Sequence, residues 1–487
     1  MVTRKNTGTR PLFTALACAV CWATAGCSDS AGDDSDTATD APADDGVGPD
    51  ADGDVEDVIE VEPDATDDGT LPDGPADDGP PVPVTFTRHT IDGARPGPAF
   101  AVAADVDGDG ALELVSTAFG SMALTVPNGD VRTYERGADW DDWPSTEVVG
   151  TAARVRFPNH PNVVDIDGDG DLDLILPSGF LACEAAMAGT CGGLGWYEQT
   201  PGGWVRHDVV PMGNRLFYHH AEWVDFDGDG VRDLVTVGER KPTFGASEAA
   251  AQWFKGTPGG DRFETTPRAI GPGLGSLPTV RDLDGDGDLD VASAEFFVGD
   301  GSFAWYERLE DPSSAHPAGV WEHHLVNDDS GPAIQLSFVE NLYGDGVLHA
   351  VGSNHTNTAA RPPDPWESAV FVFDLPGDPR DPWARTQIST GIVSVAGSML
   401  APQAAPGIFA VGDIDGDGDL DLLLSGDGDP HVFWLEQHAD HSWETHVLAD
   451  GMSQAGSVVI ADFDGDGRNE LVASGYDANV IHVWVRD

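Results

Sequence analysis

One nine-residue phrase, Asp-x-Asp-Gly-Asp-Gly-x-x-Asp/Glu, returns along most of the chain, so the fold must be built from a repeated unit. Its complete copies place acids at Asp105, Asp107, Asp109 and Glu113; at Asp165, Asp167, Asp169 and Asp173; and at Asp225, Asp227, Asp229 and Asp233. They continue at Asp282, Asp284, Asp286 and Asp290; at Asp413, Asp415, Asp417 and Asp421; and at Asp462, Asp464, Asp466 and Glu470. A worn copy runs from Asn341 through Tyr343 and Asp345 to His349. The seven starts fall at 105, 165, 225, 282, 341, 413 and 462, too regular for chance.

Short apolar runs flank each copy, Phe100-Ala101-Val102 before the first and Leu112-Glu113-Leu114-Val115 within and after it. These read as two strands joined by a tight turn. An aromatic-marked third strand follows at Tyr134, Trp196-Tyr197, Trp253-Phe254, Trp305-Tyr306, Phe371, Trp434 and Trp484. A fourth is marked by Trp204 to His207, Trp321 to His324 and Trp443 to His446. The expectation is an all-β fold, a seven-bladed β-propeller of four-stranded blades over 84–487. Phe86 to Ile91 reads as a fourth strand lacking its blade, and Ile481 to Val485 as a third strand lacking its partner. Pairing these N- and C-terminal strands would close the ring and remove its free edges.

The acidic turn also carries chemistry. Carboxylates at its first, third and fifth positions converge, the glycine at the sixth permits the bend, and the ninth closes a cage of hard oxygens suited to Ca²⁺. Two carboxylates about 5 Å apart repel by roughly 3 kcal/mol at an effective dielectric of 20, so a turn without a cation is costly. An EF-hand is excluded, since the twelfth position is Ser116, Leu176, Thr236, Ser293, Leu424 or Ala473 and never Glu. In this turn and the apolar strand after it, the chain resembles the FG-GAP/VCBS repeat family of integrin α-chain propellers and many bacterial surface proteins. The resemblance implies calcium between the first two strands of each blade. About six structural Ca²⁺ ions are expected, the worn turn keeping its bend and losing its ion.

The charge is −61 overall, from 85 acids against 24 Lys and Arg, which argues against nucleic acid and against anionic lipid headgroups. It is unevenly placed. Residues 1–26 carry Arg4, Lys5 and Arg10 before an apolar run from Leu12 to Ala25, the form of an export signal. Thr24-Ala25-Gly26-Cys27 resembles the lipobox of bacterial lipoproteins, with Thr24 where that family usually has Leu. It implies cleavage before Cys27, lipid on that thiol, and a protein of the bacterial envelope or surface; otherwise it is secreted. Any membrane contact is then through the anchor alone. Residues 27–83 hold 20 acids and no Lys or Arg, and read as a disordered, self-repelling spacer. Cys183 and Cys191 remain in the mature chain and are expected to form a disulfide; a metal pair is the lesser reading.

No hydrolase, zinc-protease or phosphate-loop motif is present. His89, His207, His324 and His446 sit at one register of the fourth strand and read as framework. Five residues before the turn, most blades have a small or apolar residue, while the second and third have His160 and His220. These should lie side by side near the channel mouth, opposite the calcium turns. Close by in sequence are Asn159, His219 and Glu222, and the second strands bring Glu239, Arg240, Glu295, Asn354, His355 and Asp427 to the same end. Such a set could hold a second, transition metal or polarise a sugar carbonyl, or be an ordinary polar rim. Two functions stay open: a tethered binding or adhesion module for a glycan or extracellular protein, and a carbohydrate-active enzyme. For the latter, Trp196-Tyr197-Glu198 and Trp305-Tyr306-Glu307 look similar to propellers of sugar dehydratase/isomerases and polysaccharide lyases.

Overall fold

The computed structural model describes residues 84–121, 126–180, 182–185, 189–242, 244–259, 262–297, 301–398 and 401–487. The leader, the acidic spacer and Cys27 lie outside the described residues. Seven four-stranded antiparallel sheets follow one another, each built on one copy of the acidic turn. The first contains Pro98–Ala104, Glu113–Ala118, Asp130–Tyr134 and Ser145–Val149, and the sixth Phe409–Gly412, Asp421–Ser425, Val432–Gln437 and Trp443–Ala449. The seventh is composite. Ala455–Ala461, Glu470–Gly475 and Val480–Arg486 are completed by Phe86–Asp92, with Phe86 opposite Arg486 and His89 opposite Val483. Thr85 and Thr87 each donate a hydroxyl to the Asp487 carboxylate across this seam, at 2.8 and 2.5 Å.

The core lies between sheets. Successive residues of a strand point to opposite faces, so neighbours on a second strand serve different seams. Leu114 packs with Val472 and Val483 of the seventh blade, whereas Val115 packs with Leu174 and Tyr197 of the second. The same alternation sends Leu234 toward the second blade and Val235 toward the fourth, and Leu422 toward the fifth and Leu423 toward the seventh. Trp305 joins the fourth blade to Phe371 of the fifth. Seven apolar seams therefore close into a ring, and the Glu113–Ala118 strand is buried along its whole length. Each Leu or Phe so buried contributes roughly 1.5–3 kcal/mol.

Polar side chains fasten the innermost strands. Gln335 of the fifth blade donates to the Phe409 carbonyl of the sixth at 3.2 Å and accepts its amide at 2.9 Å. Ser457 accepts the amide of Ala101 at 2.9 Å. On the outer strands, Glu198, Glu307 and Glu436 bond His207, His324 and His446 at 2.9, 2.8 and 2.5 Å. Those imidazoles lie over Trp196, Trp305 and Trp434. Between the fifth and sixth blades, a two-stranded ribbon of Ala396–Ser398 and Ala401–Pro402 accounts for the longer interval before the turn at Asp413. Cys183 and Cys191 are disulfide-bonded, with Cα atoms 6.0 Å apart, and close a small loop near Phe157 and Phe217.

Candidate functional site

Two sites lie at opposite ends of the ring: the acidic turns where first strands end, and the channel mouth where they begin. In the turns, backbone amides organise the carboxylates before any ion is considered. At the second turn, Asp165 accepts the amides of Gly168 and Gly170 at 2.6 and 3.2 Å, and Asp167 that of Asp169 at 3.0 Å. The bend needs left-handed backbone at both glycines, with φ of +77° and +101°.

The ninth position is more than a cage wall. Glu113, Asp173, Asp233, Asp290, Asp421 and Glu470 are buried, and each accepts the amide of the turn's second residue. In the four turns whose ninth residue is Asp, the other oxygen takes an amide in or just past the last turn-side residues of the third strand: Gln199, Gly256, Arg308 and Gln437. Burial pushes these carboxyls up despite the amides that oppose it, to about 6 at Asp173 and Asp233 and about 7 at Asp290, Asp421 and Glu470. Burial likewise raises Asp415 to about 6, with Asp417 and Glu436 adding to the effect.

The turns fit a divalent cation unequally. Oxygens of Asp105, Asp107 and Glu113 lie within 4.8 Å of one another, as do those of Asp165, Asp167 and Asp173 and of Asp225, Asp227 and Asp229. Asp105 Oδ1 and Asp225 Oδ1 are buried with no hydrogen-bond partner, as expected of ligand oxygens. In the third turn, however, the Lys255 ammonium bonds Asp227 and, at 2.6 Å, Asp229, holding the Asp229 carboxyl below its usual range. In the fourth, the Arg380 guanidinium reaches Asp284 at 2.6 Å and also grips Glu307. The worn turn does not fit a hard cation. Tyr343 packs edge-on against His349 and stacks on His441.

At the other end, a cavity of about 120 Å³ is lined from every blade: by Phe100, Asn159, His219, Leu277, Ile334, Ile408 and Tyr476 among others. Only the central axis is reachable from all seven, so this is the channel mouth. Its wall is largely apolar, with Phe100, Phe119, Phe180 and Tyr476 among its residues. Phe119 meets Phe157, Phe180 and Tyr476 with ring centroids 5.1, 6.1 and 5.8 Å away. Phe119, Phe180 and Tyr476 follow second strands, the position at which the sequence marks polar candidates.

His219 lines this cup, buried, and its Nδ1 lies 3.1 Å from Glu239, which is wholly buried. Asn159 lines it too, its amide donating to the carbonyls of Gly179 and Tyr218 at 2.8 and 2.7 Å. Asp427 faces the cup and accepts from Gln454 at 2.8 Å, and burial raises its carboxyl to about 7. His160 and His220 are neighbours, ring centroids 4.9 Å apart and nearly perpendicular. His160 sits lower, beside Phe100, on a second channel cavity of about 300 Å³ that shares Leu277 and Ile408 with the cup. Burial, aided by His220, lowers its pKa to about 3 and keeps it neutral. His220 pairs with Glu222 at 3.3 Å.

The other candidate residues are engaged elsewhere. Arg240 is held by Glu184 of the disulfide loop and by Glu248. Glu295 caps backbone amides of Leu274 and Gly301 at 3.2 and 3.0 Å. Asn354 bonds the backbone at Ser330, Glu367 and Ala369. His355 is buried, donates Nδ1–H to the Pro406 carbonyl at 2.6 Å and has a pKa lowered by burial to about 4.

Residues 413–473, from the sixth acidic turn through the second strand of the seventh blade, match the family described as an FG-GAP-like repeat. None of the curated proteins matches the chain. Among solved structures, a thermostable family-43 glycoside hydrolase is similar at 10% identity and a TM-score of 0.33, over 72% of this chain and 94% of that one. The chain is thus a seven-bladed β-propeller with an FG-GAP-like repeat at 413–473, and the acidic turn of that repeat recurs around the ring.

Proposed function

We propose that the chain is a calcium-braced propeller, tethered at a bacterial surface through Cys27, whose channel-mouth cup receives the end group of a glycan. The observation that carries this reading is the cup itself, an apolar, partly aromatic wall around His219, Asn159 and Asp427. Its volume, about 120 Å³, is below that of a cavity that takes benzene (~150 Å³), so the cup would receive one edge of a sugar ring rather than the whole ring. Apolar walls with a few convergent polar groups suit a sugar ring, whose faces are apolar and whose edge carries hydroxyls. Calcium in the turns is part of the proposal. There, Asp at the first, third and fifth positions would supply the oxygens and brace the hairpins, with no part in recognition.

The cup is tested by screening the Ca²⁺-loaded chain on immobilised glycans. Phe180→Ala and His219→Ala should abolish binding without lowering the melting temperature in parallel. Binding unchanged in both variants would remove the cup from the function. A second reading, a carbohydrate-active enzyme, is favoured by one observation: His219, which lines the cavity, is backed by the buried Glu239 at 3.1 Å, the arrangement of a histidine base held by a carboxylate. New reducing or unsaturated ends released by the chain and lost in Glu239→Gln would select that reading.

A further inference from the structure

The polar groups of the cup are one-sided. Asn159 spends both amide hydrogens on the carbonyls of Gly179 and Tyr218, so only Oδ1 is left, an acceptor with no partner among the described residues. His219 Nδ1 faces the Glu239 carboxylate, which only accepts. Nδ1 therefore carries the hydrogen, and the neutral ring keeps Nε2 as an acceptor. Among the described residues, Asp427 is the one carboxylate in the lining, and no Lys or Arg joins it. Its side chain stays 19% exposed. Arg240 and Lys241 line a separate recess that shares only Phe180 with the cup.

Carboxylate and rings stand together. The Gln454 side chain donates to Asp427 at 2.8 Å, while the Gln454 carbonyl accepts the Tyr476 amide, also at 2.8 Å. The Tyr476 ring meets Phe119, which in turn meets Phe180. An aromatic face attracts a cation through its quadrupole, and an anion beside it adds to that pull. Burial, with Asp477 adding to it, raises the Asp427 carboxyl to about 7, a penalty on the anion that a bound cation would offset.

We propose, resting on the glycan reading, that the cup selects a cationic amino sugar, whose protonated primary amine sits between Asp427 and the rings of Phe119, Phe180 and Tyr476. An ammonium carries three donors and no acceptor, so it meets the carboxylate without leaving a lone pair of its own unpaired. Hydroxyls on the same edge of the sugar can donate to His219 Nε2. An N-acetyl group would instead cover Asp427 with a neutral amide and leave a desolvated anion without its counter-charge. A bare metal ion is excluded by ligand number, since it needs four to eight and the lining holds one carboxylate and one imidazole.

The test is calorimetric titration of the full, Ca²⁺-loaded chain at about 0.15 M salt, which screens the diffuse attraction of a chain of charge −61. The probes are the disaccharide of glucosamine, its N-acetylated form and the glucose disaccharide of the same linkage. The amine is expected to bind roughly tenfold or more tighter than either neutral sugar. Asp427→Asn should erase that preference. It changes the charge of the chain by one, so a diffuse attraction would not respond to it. Asp427 sits at φ +48°, a backbone that Asn tolerates, so folding should survive. Equal affinity for the three sugars, or a preference kept in Asp427→Asn, overturns the inference and leaves the glycan cup standing. No binding of any of the three also overturns it; other glycans bound on the array and lost in Phe180→Ala would then show the wider reading intact.

Discussion

Two carboxylates of the sixth turn should respond to opposite perturbations. Asp421 is wholly buried and accepts the amides of Ile414 and Gln437 at 3.0 and 2.8 Å, so it ties the turn to the end of the third strand. Asp421→Ala orphans two buried N–H groups at about 1–3 kcal/mol each, for a loss of about 2–6 kcal/mol with or without calcium. For a ring of about 400 residues, with an unfolding entropy near 0.85 kcal/mol/K, that is a fall of about 2–7 °C in melting temperature. Asp417 is exposed and, among the described residues, accepts only the amide of Asp419, at 2.8 Å. Asp417→Ala should leave the chelated protein within about 0.5 kcal/mol of wild type. It should instead lose the calcium contribution of that site, about 2.7 kcal/mol at a hundredfold excess over Kd. Thermal melts of both variants in Ca²⁺ and in chelator separate the roles. If Asp421→Ala melts like wild type in chelator, the ninth position is a ligand only, and the argument for it as a backbone staple fails.

Two more outcomes follow from the turns. In chelator the protein should become more stable as pH falls from 8 toward 5. Asp173, Asp233, Asp290, Asp421 and Glu470 have folded pKa values of about 6–7, above those of the unfolded chain, so the folded state binds more protons throughout that window. Protons and Ca²⁺ then compete, and the gap between melts with and without Ca²⁺ should narrow over the same range; a constant gap refutes the burial argument. Lys255→Met should add one Ca²⁺ per chain to the count from equilibrium dialysis with limiting free ion, by vacating the third turn; an unchanged count means Lys255 yields to the ion unaided.

Much of the ring was legible because its signals are local and repeated. The turn marks the hinge of each first hairpin, and aromatic residues mark the third strands, so blade number and seam could be read from spacing. His160 and His220 were legible as neighbours because one register repeated on adjacent innermost strands sets them at one height. What escaped has no local mark. Lys255 and Arg380 reach the third and fourth turns from 22 and 90 residues beyond the ninth-position acids, Asp233 and Asp290, and nothing in their immediate sequence shows where they point. The aromatic cup was available in principle, since Phe119, Phe180 and Tyr476 each lie just beyond a second strand. The polar residues at that height carry recognisable chemistry, whereas single aromatics after a strand carry no motif. Arg240 stands at that strand end too, but Glu184 and Glu248 draw its charge outward.

The seam through Phe86–Asp92 and Val480–Arg486 has a consequence for biosynthesis. The first six blades can each zip locally, yet the ring stays open until the strand ending at Arg486 pairs with Phe86–Asp92. A truncated product would keep raw edges able to recruit strands from other chains. Completing the circle therefore requires the Val480–Arg486 strand, and a chain lacking it keeps an open edge.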